Sequence, residues 1–238
     1  MSTTKAEIAY DLWQTITPLI SDDSVVDFRM LSYWIDNQRS VWIKNDLNKG
    51  NRTIDDNIQQ SLGAVEFEVV DRVENMPYTG TNSKIIKSKL QIPVAIELHN
   101  STAITRVGSL DITCRPFKLI DYTAVPFSGN GKFNKNEIFA FLKGGHMYAI
   151  SDCNNPAWKA LKYMNIRGVF EKPEEASIFS HIDGTACWTT DSAYPINKWV
   201  LGYLKDAIIK LDLRPFIQPL IDESNNANPI NEQTPTNN

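Results

Sequence analysis

The run from Ser24 to Lys49 constrains the fold most. It reads SVVDFRMLSYWIDNQRSVWIKNDLNK, with no Pro or Gly before Gly50. Asp23 or Ser24 is placed to cap its start, with Asp27 three positions after Ser24 as a capping box requires. Phe28, Leu31, Ile35 and Trp42 fall on one helical face, and Met30, Trp34, Val41 and Leu47 widen it. Arg29, Asp36, Arg39, Lys44 and Asp46 take the remaining surface. At 1.5 Å per residue such a helix is about 35 Å long. The rest of the chain must be arranged around it, yet it holds no motif that chemistry requires.

A first helix is expected over residues 4–20, where Ile8, Leu12, Ile16 and Ile20 recur every fourth position. Thr3 or Thr4 caps it, Glu7 sits in its first turn and Pro18 ends it. The two helices read as a hairpin joined by Ser21-Asp22-Asp23. Thr53 with Asp56 starts a short third helix from Ile54 to Leu62, closed by Gly63.

From Ala64 the period changes to two. Val65, Phe67 and Val69 alternate with Glu66, Glu68 and Val70, the pattern of a half-buried strand. Further strands are expected at Ile85–Ile92, Ala103–Val107, Glu137–Leu142, His146–Ile150 and Tyr163–Phe170, with Gly168 as a bulge candidate. Lys143-Gly144-Gly145 between two strands is a hairpin signal. Pro173-Glu174-Glu175-Ala176 begins another short helix. A last helix runs from Asn197 to Leu213 with Trp199, Leu201, Leu204, Ile208 and Leu211 as its apolar stripe, and Pro215 and Pro219 prevent its continuation. These elements define an α+β chain: an N-terminal helical region over 1–63, a central, mostly antiparallel sheet over 64–196, a C-terminal helix and arm over 197–221, and a polar tail over 222–238 whose composition predicts disorder.

The search for chemistry returns weak signals. His99, His146 and His181 form no HxxxH or HExxH pair. Cys114, Cys153 and Cys187 are an odd number without a CxxC spacing, which reads as reduced, partly buried thiols. A Cys153–His146 pair would need tertiary proximity. Ser128-Gly129-Asn130-Gly131-Lys132 lacks the phosphate-loop spacing, and Asp183-Gly184-Thr185 is a single triplet outside a hydrophobic setting. Asp55 and Asp56 cap a turn more readily than they bind a metal. No catalytic, cofactor or metal site is therefore expected.

The net charge of -4 argues against a surface that grips nucleic acid everywhere. Lys84, Lys87 and Lys89, with Arg106, Arg115 and Lys118 further on, read as a row on a strand, facing phosphate, a neighbouring subunit or solvent. No signal peptide is evident at the start, and no apolar run approaches the roughly 18 residues of a membrane span, so a soluble chain is expected. Long amphipathic ends, Pro-punctuated segments and a polar tail suit a protein embedded in an assembly.

The segments DLWQTITPLISDD, YWIDNQRSVWIKNDLNK, RTIDDNIQQSLGAVEFEVVD, IELHNSTAITRVGSLD, FNKNEIFAFLKGGHMYAIS and YMNIRGVFEKPEEA resemble a structural protein family of crAss-like bacteriophages that forms rings in the neck or tail. The similarity covers residues 5 to about 213 and rests on diffuse sequence character, since the family has no catalytic motif to match. It implies a virion protein made in the host cytoplasm and present in roughly twelve copies around an axis. It implies contacts with the portal and with neighbouring ring or tail proteins, around a lumen through which genomic DNA passes without sequence-specific binding. On this resemblance the interface candidates are Trp13, Tyr33, Trp34, Arg39 and Trp42 in the helical hairpin and Trp199, Tyr203 and Phe216 in the C-terminal arm, aromatic residues and Arg being favoured at interface hot spots. Lys84, Lys87 and Lys89 are candidates for the DNA channel or for subunit contacts. The alternatives are a virion-associated hydrolase, nuclease or lysin-like, built on converging Asp55, Asp56, Glu66 and Glu68, and a DNA-binding accessory protein.

Overall fold

Helix α1 (Lys5–Ile16) begins at a complete capping box. The Thr4 hydroxyl accepts from the Glu7 N–H at 3.1 Å, and the Glu7 carboxylate accepts from the Thr4 N–H at 3.0 Å. Helix α2 (Phe28–Asn48) starts at Asp27, whose carboxylate accepts from the Met30 N–H at 2.7 Å. The cap is thus Asp27 itself, not Asp23 or Ser24, and the helix starts later than the sequence suggests. The computed structural model describes residues 3–19, 26–49, 54–70, 84–99, 101–128, 137–151, 161–179 and 188–216. The expected turn at 21–23, the SGNGK loop beyond Ser128, Cys153, Cys187, the Asp183 triplet and the C-terminal tail lie outside the described residues.

Seven strands follow: β1 (Gln60–Val70), β2 (Lys84–Ser88), β3 (Ile104–Gly108), β4 (Lys118–Leu119), β5 (Ile138–Lys143), β6 (His146–Ser151) and β7 (Tyr163–Gly168). They form one sheet in the order β3-β7-β1-β2-β6-β5-β4. Among the described residues only the β4–β5 pair is parallel. The β5–β6 hairpin turns at Gly144 and Gly145, both at positive φ (58° and 77°), which the Gly-Gly pair supplies without a Cβ clash. Just before β4, the Phe117 N–H donates to the Val107 carbonyl of β3 at 2.7 Å, so the two outer strands meet and the sheet almost closes on itself.

The expected third helix is absent. Asp56–Ile58 makes a single 3₁₀ turn, and β1 starts at Gln60. Ile58 and Leu62 are spaced as on a helix, but the pairing of β1 with β7 slips between Ser61 and Ala64, around Gly63 at φ +65°. This bulge lets Leu62 and Val65, three residues apart, both reach the core. A second slip between Ile104 and Arg106 does the same for Ile104 and Val107. The bulges thus lie in β1 and β3, the strands flanking Gly168, rather than at Gly168. Val69, expected inside, is 59 % exposed.

Inside the curled sheet, Leu62, Val65, Phe67, Ile86, Met147, Met164 and Ile166 form the main core, with Ala176 of α3 (Pro173–Phe179) against it. Each such large side chain contributes about 1.5–3 kcal/mol by burial. A second core joins Ile8, Leu12 and Ile16 of α1 to Leu31, Trp34 and Ile35 of α2 and to Val200 and Leu204 of α4 (Val200–Ala207). The last helix is shorter than expected as an α-helix. It widens to a π-helical turn at Ile208–Asp212, and a 3₁₀ turn follows at Arg214–Phe216.

Candidate assembly surface

Two residues assigned by periodicity to the outer face of α2 are the polar centre of the molecule. Arg39 is fully buried. Its Nε donates to the Pro195 carbonyl at 2.9 Å, its Nη1 to the Phe170 carbonyl at 2.9 Å and its Nη2 to the Ile58 carbonyl at 3.5 Å. The guanidinium also lies 5.6 Å from the ring centroid of Tyr194. Burial pushes the Arg39 pKa below the usual guanidinium value, against the opposing pull of Tyr194 and Asp36. Asp36 accepts from Lys5 Nζ at 2.7 Å and from the Tyr194 hydroxyl at 2.7 Å. Lys5, itself buried, also donates to Glu174 of α3 at 2.6 Å. Burial holds the Tyr194 phenol well above its ordinary pKa. This network ties α1, α2, α3, the 194–195 segment and the end of the sheet together. Arg39 is therefore not available to a partner, and Asp36 is not a bystander. The signal that reveals them is three carbonyls from distant parts of the chain, which no local pattern contains.

The aromatic candidates divide in two. Trp34 is buried, with Phe216 6.0 Å away between ring centroids, and Trp13 is half-buried against the helical core. The Trp34–Phe216 contact holds the C-terminal arm on α2. Trp42, Trp199 and Tyr203 instead form a ladder that climbs out of the core. Trp42 meets Trp199 edge-on at 5.0 Å, and Trp199 meets Tyr203 edge-on at 6.4 Å. Trp199 is 48 % exposed and Tyr203 64 % exposed. Tyr33 is also exposed, on the rim of a groove of about 310 Å³ with Val41, Lys44, Ile96 and Glu171.

The expected basic row is not one row. Lys84 pairs with Ser151 and Lys87 with Tyr148, positions of opposite parity in β2. Lys89 lies past the strand and pairs with Glu66 at 2.5 Å. Arg106 Nη2 donates to the carbonyls of Asp111, Ile112 and Cys114, closing the loop after β3. Arg115 and Lys118 both pair with Glu137. Most of these cations serve the fold.

Three of the four carboxylates of the hydrolase alternative have separate partners, and the fourth, Glu68, is exposed on β1. Asp56 pairs with Arg167 at 2.7 Å, Asp55 accepts from the Asn197 amide at 3.1 Å and Glu66 takes Lys89. Among the described residues no group of three His, Cys, Asp or Glu could hold a metal ion. His146 Nδ1 lies 2.9 Å from the Ser88 carbonyl, a structural contact within the sheet. Cys114 is exposed, contrary to the expected partly buried thiol. No helix among the described residues is long and apolar enough to cross a membrane.

Comparison with known proteins bears on what such a surface is for. The family model described as phage tail ring protein 2 matches residues 7–234. A search of curated proteins gave no match.

Proposed function

The chain belongs to the phage tail ring protein 2 family and is on that ground a structural protein of the virion; from this premise we propose that it assembles into a closed ring of roughly twelve copies. The ring sits between portal and tail, contacts both through neighbouring ring proteins, and surrounds the path of the genomic DNA. The subunits are made in the host cytoplasm and work without a cofactor or catalytic step.

The observation that carries the reading is the exposed end of the aromatic ladder at Trp199 and Tyr203, backed by Trp42 and by the buried Arg39 network. Exposed aromatics on a rigid base are what a subunit contact uses, because their surface is buried at a small cost in side-chain entropy. A closed ring needs a heterologous interface, in which this patch meets a different face of the next copy. The net charge of -4 gives a surface past which DNA slides without sticking.

The test is imaging of virions with and without a Tyr203→Ala, Trp199→Ala double variant. The parent chain is expected as a ring at the neck or tail and the variant chain as folded, unassembled protein, with Tyr203→Ala alone keeping the parental thermal stability. Variant virions with the ring intact would remove the ladder from the interface. A chain absent from parental virions would remove the ring reading altogether.

A further inference from the structure

Between Gly108 of β3 and Lys118 of β4 the chain forms a loop fastened from within. The Phe117 N–H closes its base on the Val107 carbonyl at 2.7 Å. Arg106 Nη2 donates to the Asp111, Ile112 and Cys114 carbonyls at 3.2, 3.0 and 3.1 Å. The Asp111 carboxylate accepts from the Thr113 N–H at 2.9 Å and from the Thr113 hydroxyl at 2.7 Å. Polar groups of the loop thus bond inward, and its aliphatic side chains are left outside. Ile112 is 74 % exposed and Leu110 48 % exposed. A loop ordered before binding loses little conformational freedom when its exposed apolar tip is covered.

The same two strands part at their other end. There Ile104, Leu119, Ile120, Leu142 and Met147 line an open groove of about 440 Å³. An apolar cavity of about 150 Å³ already takes a benzene-sized group, so two aliphatic side chains fit. Glu97 and Asp121 stand on its rim, both exposed and neither in an ion pair among the described residues. From the groove at Ile104, β3 runs to the loop at Gly108, about 14 Å at 3.4 Å per residue. The closed base at Val107 and Phe117 keeps the loop out of its own groove. Beside the tip, Arg115 touches Glu137 at 3.3 Å with 79 % of its side chain exposed, and Lys118 stays on Glu137 if it leaves. A cationic, aliphatic tip and an acidic, apolar groove complement each other in charge and polarity.

We propose that the 109–116 loop of each copy inserts Leu110 and Ile112 into the groove of the next copy, with Arg115 on Glu97 and Asp121 of that copy. Tip and groove are different surfaces, so the contact is heterologous, as a closed ring requires. It rests on the ring reading of the chain and adds to the contact at Trp199 and Tyr203.

The test uses virions carrying the full chain with Cys114, Cys153 and Cys187 replaced by Ser. Serine keeps a donor at position 114, where the thiol lies 3.7 Å from Asp111 Oδ2. Adding Ile112→Cys together with Ser101→Cys on the groove rim should give covalent multimers after oxidation and denaturation, and either cysteine alone should give monomer. In a second arm, with the native cysteines in place, Arg115→Glu should lower the amount of chain per virion several-fold. Glu97→Lys with Asp121→Lys should do the same, and the three changes together should restore it. All three positions are exposed, so folding is expected to be unchanged. Monomers from two-cysteine virions whose images still show the ring would overturn the contact and leave the ring reading standing. Dimers from Ile112→Cys alone would overturn it too, because they require tip against tip. If the two-cysteine chain is left out of virions, the second arm decides: parental amounts with Arg115→Glu, or no recovery in the triple variant, would overturn the contact. Absence of the parent chain from virions would overturn the ring reading, and the contact with it.

Discussion

Replacing Arg39 tests the claim that one buried cation holds the helical layer to the sheet. In Arg39→Met a side chain of similar length fills the space, and the cost of burying a charge disappears. The Phe170 and Pro195 carbonyls, each bonded at 2.9 Å in the parent, lose their donor. A buried acceptor left unmade costs about 1–3 kcal/mol, so two cost about 2–6 kcal/mol. The third contact, to Ile58 at 3.5 Å, adds little. Relief of the desolvation penalty offsets part of this, and a net loss of about 2–3 kcal/mol is expected. Arg39→Ala adds a cavity and should lose about 4 kcal/mol, a large share of the 5–15 kcal/mol typical of a domain. Denaturant unfolding followed by both far-UV circular dichroism and tryptophan fluorescence measures the change. Native-state hydrogen exchange locates it, with amides of α1 and α2 expected to lose protection before those of the β5–β6 hairpin. An Arg39→Met variant with the parental midpoint and slope would refute the reasoning, because the carbonyl contacts would then have no net worth.

The other predictions separate folding from assembly. Asp36→Ala strips Lys5 and the Tyr194 hydroxyl of their shared acceptor while Lys5 keeps Glu174, and should cost about 2–4 kcal/mol in the same denaturation assay. Trp34→Ala should cost about 3–5 kcal/mol and act through folding alone, whereas Tyr203→Ala should shift stability by less than about 0.5 kcal/mol and appear only in assembly. Gly168→Ala would push a Cβ to 2.9 Å from the Ala103 carbonyl oxygen and 3.1 Å from Ile104 Cα, both backbone atoms, and a loss of about 1–3 kcal/mol in thermal unfolding is expected. The Tyr194 phenol titrates higher folded than unfolded, so its contribution is complete below the unfolded value of about 10 and falls as pH rises from there through the folded pKa. Melting curves in that alkaline window should show a steeper decline for the parent than for Tyr194→Phe.

What the sequence determined by itself was local. The Thr4 cap, one of the two threonines the pattern offered, the body of α2 though not its start, and the Gly144-Gly145 turn each depend on residues a few positions apart, and pattern and chemistry place them. Periodicity also separated helices from strands over most of the chain, because a face that must be buried repeats with the period of its element. The tertiary structure decided the rest. The β1 bulge breaks the alternation that periodicity relies on, so Ile58 and Leu62 imitate a helix that does not form. Arg39 and Asp36 read as surface residues because charge is normally solvated. They are drawn inward by Ile58, Phe170, Pro195, Lys5 and Tyr194, groups that only the assembled fold brings together. The aromatic interface candidates divide for the same reason. Trp34 and Trp199 are equivalent in composition, but α2 packs the first under Phe216 and leaves the second exposed at the head of the ladder. Which aromatic side chains can meet a partner is set by what the rest of the chain has already covered.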